Sequence, residues 1–353
     1  MNRAKVAVLN TAPETVLEDY SSLLDMAGFS DSLSPDHDTA IQVTLDWHHF
    51  FPSVSTPPWQ LDGVLKKLHD EGFPGDKIFA FYPAVHGVSF QKGQVLNRHL
   101  AVLRKYATPF FLFDENTPRV TYEPKTPLRV FTRFFPDGIP VPERLPGSNI
   151  LQLTTMKTSL ESTITGAIWG ALVCMAGGKL RDLLPFLDEA LCDAVALRKE
   201  MHPGMFAVMD GVFAGEGPSP RNLIPHEKNL ILASTDPVAL DAVALYLMGF
   251  EPLDIRYIRM AHESGLGTGD ISEMEIAGAD IKDLRFRFTI NETPGAARVR
   301  RFENMLSGGF LSPLSELVST LYYDWYWYLA FSEERIKKAM KGGWGKVFET
   351  YRR

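Results

Sequence analysis

The residues best placed for chemistry are carboxylates between Met209 and Asp241. Asp210 follows an apolar run, and Glu216 comes six positions later, among the glycines Gly211, Gly215 and Gly217. Glycine lets a backbone turn sharply and approach a ligand closely, and open α/β sheets bind ligands beyond the carboxyl ends of strands. We predict that Asp210 and Glu216 lie at a strand-to-helix turn, as acid/base groups or metal ligands. The alternative is that Asp210 caps the turn and Glu216 is solvated.

Two further acids, Asp236 and Asp241, accompany the start of an apolar helix. Asp236 precedes Pro237, which is the favoured order of an N-cap and a first helical residue, so capping explains Asp236 as well as a site role does. Capping does not explain Asp241 in the second turn, and a buried carboxylate costs free energy unless it is paired. We expect Asp241 to meet a cation in the site or to form a structural salt bridge.

Lys157 and the hydroxyl-rich sequence after it are typical of an anion site. Backbone N–H groups at a helix N-terminus bind anions, and Lys157 would add a positive charge as a third catalytic residue. A capping cluster with a solvated lysine is the alternative. The predicted substrate-binding residues are Thr158, Thr163, Thr165, Gly166, Gly215, Gly217, Asp236, Asp241 and Trp47.

A carboxylate and imidazoles follow two early strands, and Asp46, His48 and His86 together offer a donor set for a divalent metal. Their spacing matches no named metal motif. His48 and His49 equally suit packing between Trp47 and Phe50.

Alternating apolar runs and amphipathic segments supply the elements that would position these residues. The predicted strands are Val6–Leu9, Ile41–Leu45, Lys77–Tyr82, Pro109–Asp114, Asn149–Leu153, Met205–Met209, Asn229–Ala233 and Leu284–Ile290. The predicted helices are Glu14–Ala27, Trp59–Glu71, Leu96–Tyr106, Thr163–Ala176, Leu180–Leu197 with an interruption at Pro185, Pro237–Leu247, and a stretch from Ala296 onward. The small residues of Thr163–Ala176 indicate that something packs closely against that helix.

This alternation predicts an α/β fold with mainly parallel sheets, crossover helices and two lobes sharing a cleft. The N-terminal α/β lobe spans residues 1–146, and residues 147–290 form a second lobe that carries the acidic turns. Residues 117–146 are rich in Pro, Arg and Thr, and we interpret them as edge strands and the lobe boundary. Residues 291–353 form a helical aromatic and basic extension.

Composition excludes several classes of protein. A net charge of −7 gives the body no footprint for nucleic acid, although the last 21 residues carry seven basic and three acidic groups. The absence of a long uncharged apolar stretch excludes a membrane span. Two cysteines form no disulfide framework and suit the reducing cytoplasm. Dinucleotide and phosphate loops are missing, as are the nucleophile-elbow and HExxH motifs.

Four stretches in order resemble the domain-of-unknown-function family 362: MKTS…TITGA, MDGVFAGEGPSP, NLILASTDPVALDAVALYLMGF and GLGTGDISEMEIAG. A weaker likeness through IQVTLDW and STPPWQLDGVLKKL extends the resemblance to about four-fifths of the chain. Members of that family are bacterial and archaeal and often carry iron–sulfur modules. Two cysteines cannot hold a four-iron cluster, so no iron–sulfur cofactor is expected here.

The chain departs from the family in the basic half of the presumed site. The family tends to have Lys-Pro-Asn where this chain has Leu45-Asp46-Trp47, and Lys-Thr-His where Ser159 follows Lys157-Thr158. It tends to have Lys-Asn where this chain has Trp169-Gly170. The resemblance therefore implies a specialised member with a bulkier, more apolar ligand.

An aromatic segment, Tyr322 to Tyr328, precedes the basic end of the chain. Three interpretations stay open: a helix packed on the body, a lid or homodimer arm, and peripheral membrane contact through residues 321–353.

These features favour an enzyme for a small organic substrate with one anionic group and an apolar body. We expect an isomerase or redox step of a biosynthetic pathway that uses carboxylate acid/base chemistry. No cofactor is evident, and a divalent metal is compatible with the donors. The alternative is a non-catalytic ligand-binding or assembly protein that kept the fold.

Overall fold

A mainly parallel sheet organises the molecule, which we describe from a computed structural model covering residues 3–218, 220–291, 317–318 and 320–352. Its strands are β1 (Lys5–Asn10), β2 (Thr39–Val43), β3 (Ile78–Pro83), β4 (Phe110–Phe113), β7 (Asn149–Ser159), β8 (Thr163–Ile164), β9 (Met205–Glu216), β10 (Ile224–Ser234) and β11 (Glu275–Gly278). The order is β11-β1-β10-β9-β7-β2-β3-β4, and the short β8 pairs with β7. Strand β10 runs antiparallel to both neighbours, and the other neighbours along this path are parallel. Strands β5 (Arg119–Tyr122) and β6 (Ile139–Pro142) form a separate antiparallel pair.

Helices cover both faces of the sheet. They are α1 (Val16–Met26), α2 (Phe29–Ser32), α3 (Pro58–Asp70), α4 (Phe90–Leu96), α5 (His99–Lys105), α6 (Phe131–Phe134), α7 (Ala167–Ala176), α8 (Leu180–Leu183), α9 (Leu187–Met201), α10 (Pro237–Leu247), α11 (Arg256–Glu263), α12 (Glu333–Ala339) and α13 (Gly343–Thr350). A π-helix spans Thr320–Ser332, and short 3₁₀ turns cover Gly75–Lys77, Gly177–Lys179, Leu184–Phe186, Pro252–Asp254 and Ile271–Glu273.

Two apolar cores lie on opposite sides of the sheet because strand side chains alternate between its faces. Helices α1, α3, α5 and α13 pack on one face. Helices α6, α7, α9, α10 and α11 pack on the other. The α/β fold with a mainly parallel sheet and a helical C-terminal region is thereby confirmed.

Strands from both predicted lobes join the same sheet. Strand β2 belongs to residues 1–146, β7 belongs to residues 147–290, and the two pair in parallel from Thr39↔Asn149 to Val43↔Leu153. The predicted lobe boundary at residue 146 therefore separates two strands that are hydrogen-bonded to each other in one sheet. Edge strands within 117–146 are present as β5 and β6.

Several predicted elements need correction. The predicted helix Leu96–Tyr106 begins too early: α5 starts at His99, and Leu96 is the last residue of a separate helix, α4, which the prediction omitted. Arg98, between the two helices, adopts a left-handed φ of 63°. Residues Leu284–Ile290 form no strand, although Phe286 and Phe288 donate backbone hydrogen bonds to Leu247 and Met248. The strand beside β1 is instead β11, which the sequence pattern missed. The helix predicted from Ala296 onward begins outside the described residues.

Helix α7 confirms the close packing that its small residues predicted. A Cβ at Gly170 would lie 2.1 Å from Nε2 of Gln152 on β7. That amide donates to the Ala167 carbonyl at 2.9 Å, and the Gln152 Oε1 atom accepts from the buried Arg198 at 2.9 Å. The glycine thus lets α7 lie against a buried polar network on the sheet.

We expect Gly170→Ala to lower the free energy of unfolding by about 2 kcal/mol, because overpacking and a displaced buried amide outweigh the helix-propensity gain. Urea unfolding measures the change. Gly178→Ala is the matched control, since a Cβ there meets nothing within 4 Å. Equal stability of the two variants would contradict the packing.

Candidate functional site

The crevice at the carboxyl ends of β2 and β7 is the topological switch point of the sheet. The crossover after β2 passes through α3 on one face, whereas the crossover after β7 passes through α7 and α9 on the other. Open α/β sheets bind ligands at such a point. Here the crevice holds a cavity of about 30 Å³, lined by Thr44, Asp46, Thr154, Thr165 and Trp169 among others. That is room for about one water molecule.

Lys157 explains why this crevice is nearly full. Its side chain is 0% exposed, and Nζ lies 2.7 Å from Oδ2 of Asp46. The same ammonium donates to Thr155 Oγ1 at 3.0 Å and to the Val54 carbonyl. The positive charge predicted to hold an anion is therefore neutralised by a carboxylate of the protein.

Asp46, His48 and His86 do not assemble into the predicted metal set. Asp46 pairs with Lys157, and His86 is exposed on the surface. The group that does converge in the described part of the chain is His48, His49 and Asp324, whose ligand atoms all lie within 4.8 Å of one another.

Asp241 occupies the helix N-terminus that was predicted to hold a substrate anion. Its two carboxylate oxygens accept the backbone N–H groups of Ala167 and Ile168 at 2.7 and 2.9 Å. A Cβ at Gly166 would lie 2.1 Å from Asp241, so glycine is needed for this approach. Burial raises the pKa of Asp241 to about 7. In place of the structural salt bridge that was one expectation, Asp241 caps α7 through backbone donors.

The threonines around this turn hold the strands together. Thr158 donates its hydroxyl to the Gly217 carbonyl at 2.6 Å and accepts from the Gly217 N–H at 2.8 Å. Thr163 takes a left-handed φ of 66° in β8, where the sequence predicted helix. The Thr165 N–H donates to the Lys157 carbonyl at 3.0 Å.

Asp236 caps α10, as one of its two predicted roles required. Its Oδ1 accepts from the N–H groups of Val238 and Ala239 at 2.8 and 3.1 Å, while Oδ2 accepts from the Thr268 N–H at 2.8 Å. Burial raises the pKa of Asp236. The carboxylate thereby ties the Gly-rich loop after α11 to the start of α10.

Asp210 lies in the core rather than at a turn. Strand β9 continues to Glu216, so the turn predicted at Asp210 and Gly211 is wrong. Of the three glycines Gly211, Gly215 and Gly217, it is Gly217 that has a positive φ, 141°. The Asp210 Oδ2 atom accepts from the Tyr20 hydroxyl at 2.7 Å and from Trp59 Nε1 at 2.9 Å. Burial raises the pKa of Asp210 to about 6.

Glu216 is the predicted acid that borders a sizeable cavity. Its Oε2 lies 2.9 Å from His226 Nε2, and its Oε1 accepts from the Thr289 N–H and hydroxyl, each at 2.9 Å. The adjoining cavity measures about 260 Å³ and is lined by Glu216, Gly217, Pro218, Asn222, Ile224, Thr289, Asn291, Trp327 and Arg335. Gly215 lies nearby, where a Cβ would be 2.6 Å from Ser53 Oγ.

Four residues around Glu216 were not predicted from the sequence: His226, Thr289, Trp327 and Arg335. A signal existed for His226, because β9 and β10 form a hairpin in which Glu216 pairs with Ile224 and Ala214 with His226. That register puts Glu216 and His226 diagonally on one face. Thr289, Trp327 and Arg335 belong to segments distant from Glu216 in the sequence. Their spacing from Glu216 does not indicate that they lie beside it.

The aromatic segment packs on the loop after β2. Trp47 is fully buried, donates Nε1 to Asp324 Oδ1 at 2.6 Å and meets the Tyr328 ring edge-on at 5.5 Å. The His49 ring stacks on Tyr328 at 4.1 Å. Trp325 and Tyr326 remain more than half exposed on the other side. Homodimer and membrane contacts through this segment stay predictions.

Two residues that line the Glu216 cavity carry a buried polar atom without a protein partner in the described structure: Asn222 Oδ1 and Trp327 Nε1. Unpartnered buried polar groups cost free energy, so these two atoms favour a ligand or water in that cavity.

Comparison with known proteins places the chain in a family. A model described as domain of unknown function 362 matches residues 53–246, which is more than half of the chain. The chain therefore belongs to that family. The match includes α3, β9 and most of α10, and it stops before the GLGTGDISEMEIAG stretch. No curated protein matches the chain. In the described residues, no helix is long and apolar enough to cross a membrane.

Asp241→Ala should lower the free energy of unfolding by about 2 to 3 kcal/mol, because two buried N–H groups at the start of α7 lose their acceptor. Chemical denaturation measures it. Asp283→Ala, at an exposed carboxylate, should change stability by less than about 0.5 kcal/mol. A neutral effect at Asp241 would contradict its capping role.

Asp210 should make stability fall as pH rises from about 4 to about 6. Its folded pKa of about 6 exceeds the unfolded value of about 3.9, so the folded state holds a proton that the unfolded chain has released. Stability of the wild type relative to Asp210→Asn should therefore fall by about 1.4 kcal/mol per pH unit in this window. Urea unfolding at several pH values measures this, with Asp283→Asn as control. A pH-independent difference would count against the buried, protonated carboxyl.

Proposed function

We propose that this member of the domain-of-unknown-function family 362 is an enzyme that moves a proton on a small organic substrate. The substrate has one anionic group and an apolar body, and it enters the cavity beside Glu216. An isomerase is the reaction class that this equipment supports best. The two cysteines are free and buried, which supports a reducing, cytoplasmic setting.

The observation that carries this proposal is the composition of the Glu216 cavity. A carboxylate, a guanidinium and an indole line the same space, from Glu216, Arg335 and Trp327. The carboxylate would transfer the proton, the guanidinium would bind the anionic group of the substrate, and the indole would contact its apolar body. A volume of about 260 Å³ is slightly below the usual range for small-molecule pockets.

Arg335 supports binding of an anion. Its guanidinium donates one hydrogen bond to the Leu223 carbonyl at 2.8 Å and lies 5.4 Å from the centre of the Trp327 ring. Partial burial lowers its pKa, since desolvation disfavours the charged form. No carboxylate of the described residues forms an ion pair with Arg335, so a substrate carboxylate or phosphate would gain by pairing with it.

Glu216 suits proton transfer, with His226 as its partner behind the cavity wall. Glu216 takes a proton from the substrate as general base and returns a proton to a neighbouring substrate atom as general acid. The 2.9 Å contact lets the pair exchange that proton between turnovers. The net reaction moves one hydrogen within the substrate and needs no second reactant. A redox step would require a co-reactant, and the test below distinguishes the two.

The rival function is non-catalytic ligand binding or assembly, and one observation favours it. The crevice where open α/β sheets bind ligands is satisfied by the protein itself, with Asp46 on Lys157 and Asp241 on the α7 N-terminus. A protein that kept the fold without its chemistry would look this way. The rival then predicts no turnover by any variant.

Glu216→Gln should reduce turnover at least about 100-fold while leaving the fold intact, because removal of an acid/base group costs at least that factor. The substrate is sought by incubating the wild type with a metabolite extract and deuterated water. Mass spectrometry then identifies any compound that gains deuterium.

Glu263→Gln, at an exposed carboxylate, is the control and should behave as wild type. Deuterium gain without a change in oxidation state supports an isomerase, whereas paired mass changes of two hydrogens support a redox step. Undiminished turnover by Glu216→Gln would sink the assignment, and no turnover by the wild type would favour the rival.

A further inference from the structure

We propose that His48, His49 and Asp324 bind a divalent metal ion of the zinc class. This ion fastens the π-helix Thr320–Ser332, which contains the aromatic segment, to the loop after β2. The site differs from the set Asp46, His48 and His86 that the sequence suggested. It does not depend on the function proposed for Glu216, because metal binding is measured without a substrate.

The geometry of the three side chains suits such an ion. Their ligand atoms all lie within 4.8 Å of one another, and His48 Nε2 is 3.3 Å from Asp324 Oδ2. Two ligands held about 2.1 Å from a tetrahedral zinc lie about 3.4 Å apart. The observed separation therefore matches two ligands of one metal ion.

His48 presents Nε2 to Asp324 from a buried position. Its side chain is more than nine-tenths buried. Burial also lowers the pKa of both histidines, which keeps the imidazoles in the neutral form that binds metals. A buried imidazole beside a second imidazole and a carboxylate is a set of ligands that a divalent metal uses.

The donor set selects the class of ion. Two imidazole nitrogens and one carboxylate suit zinc, iron, cobalt or nickel, whereas calcium and magnesium prefer oxygen ligands. Lys92 and Arg221 are the nearby positive groups that oppose a cation. Their positive charge lowers the affinity of the site for any cation.

Trp47 supports the site from behind. It donates Nε1 to the second oxygen of Asp324 at 2.6 Å, and such contacts orient the carboxylates that bind metals. Asp324 belongs to the aromatic segment, whereas both histidines belong to the loop after β2. One ion therefore joins two parts of the chain that lie far apart in sequence. It would also hold Trp327 over the Glu216 cavity.

The test is metal binding by the full chain, stripped with a chelator and titrated with Zn²⁺ in competition with a chromophoric chelator. We expect one Zn²⁺ per chain. His49→Gln and Asp324→Asn should each weaken binding at least about 10-fold. Asn at position 324 keeps an oxygen for Trp47, so the carboxylate charge is the main change. Circular dichroism confirms that each variant folds.

Two control variants make the result specific. His37→Gln removes an exposed histidine, and His86→Gln removes a member of the rejected ligand set, so both should bind Zn²⁺ as tightly as wild type. Co²⁺ gives a second readout, because tetrahedral coordination produces intense visible absorption that His49→Gln should abolish.

Three outcomes overturn the proposal. They are no stoichiometric Zn²⁺ binding by the wild type, undiminished binding by His49→Gln, and equal loss in His86→Gln and His49→Gln. If Asp324→Asn fails to fold, the His49→Gln titration and the Co²⁺ spectrum still decide.

Discussion

The buried ion pair between Lys157 and Asp46 fixes the functional end of the molecule. An ammonium with no exposed surface must be compensated inside the protein, because desolvating an unpaired charge costs several kcal/mol. The charge of the Lys157 ammonium is compensated by Asp46 and by the Val54 carbonyl, both in the loop between β2 and α3. Strand β7 therefore dictates where that loop lies. Trp47 and His48 follow immediately, and their positions determine where the aromatic segment packs.

The two carboxylates Asp46 and Asp241 give this protein a self-contained crevice. Each fills a place that a ligand's charge would otherwise take, one against an ammonium and the other against the start of α7. Affinity for an external anion at these places would have to overcome the internal pairing. A ligand is therefore better accommodated farther out, at the end of β9 and beneath residues 320–332. Asn222 Oδ1 and Trp327 Nε1, which have no hydrogen-bond partner among the described residues, lie there.

Local pattern predicted much of the fold but only part of the site. Strands β1, β2, β3 and β4 were found because short apolar runs are legible in sequence, and Asp236 was recognisable as a cap from Pro237 after it. Asp241 was singled out correctly as a carboxylate that needs a partner. Its partner was not predictable, since the backbone of α7 reaches it from 74 positions away.

The remaining errors share a physical cause. Glycines 211 and 215 suggested a turn, yet they serve close packing inside β9, where a Cβ at Gly211 would lie 3.1 Å from the Leu230 carbonyl. A glycine in a turn and a glycine in a closely packed strand cannot be told apart from the sequence. Likewise Asp324 and Arg335 show no spacing relative to Glu216 or His48 that a sequence pattern detects. Only tertiary packing brings them together.

The placement of β1 has a consequence for synthesis on the ribosome. Val6 pairs with Ser234 on one side and with Ile276 on the other. At a translation rate of about 5 to 20 residues per second, roughly 10 to 50 seconds pass between the synthesis of β1 and that of β10, the first of its two neighbours. Throughout that time an apolar strand offers unpaired backbone groups on both edges, which invites association with other nascent chains. We therefore expect this protein to need chaperone protection early in its synthesis, and slow translation upstream of β10 to prolong that need.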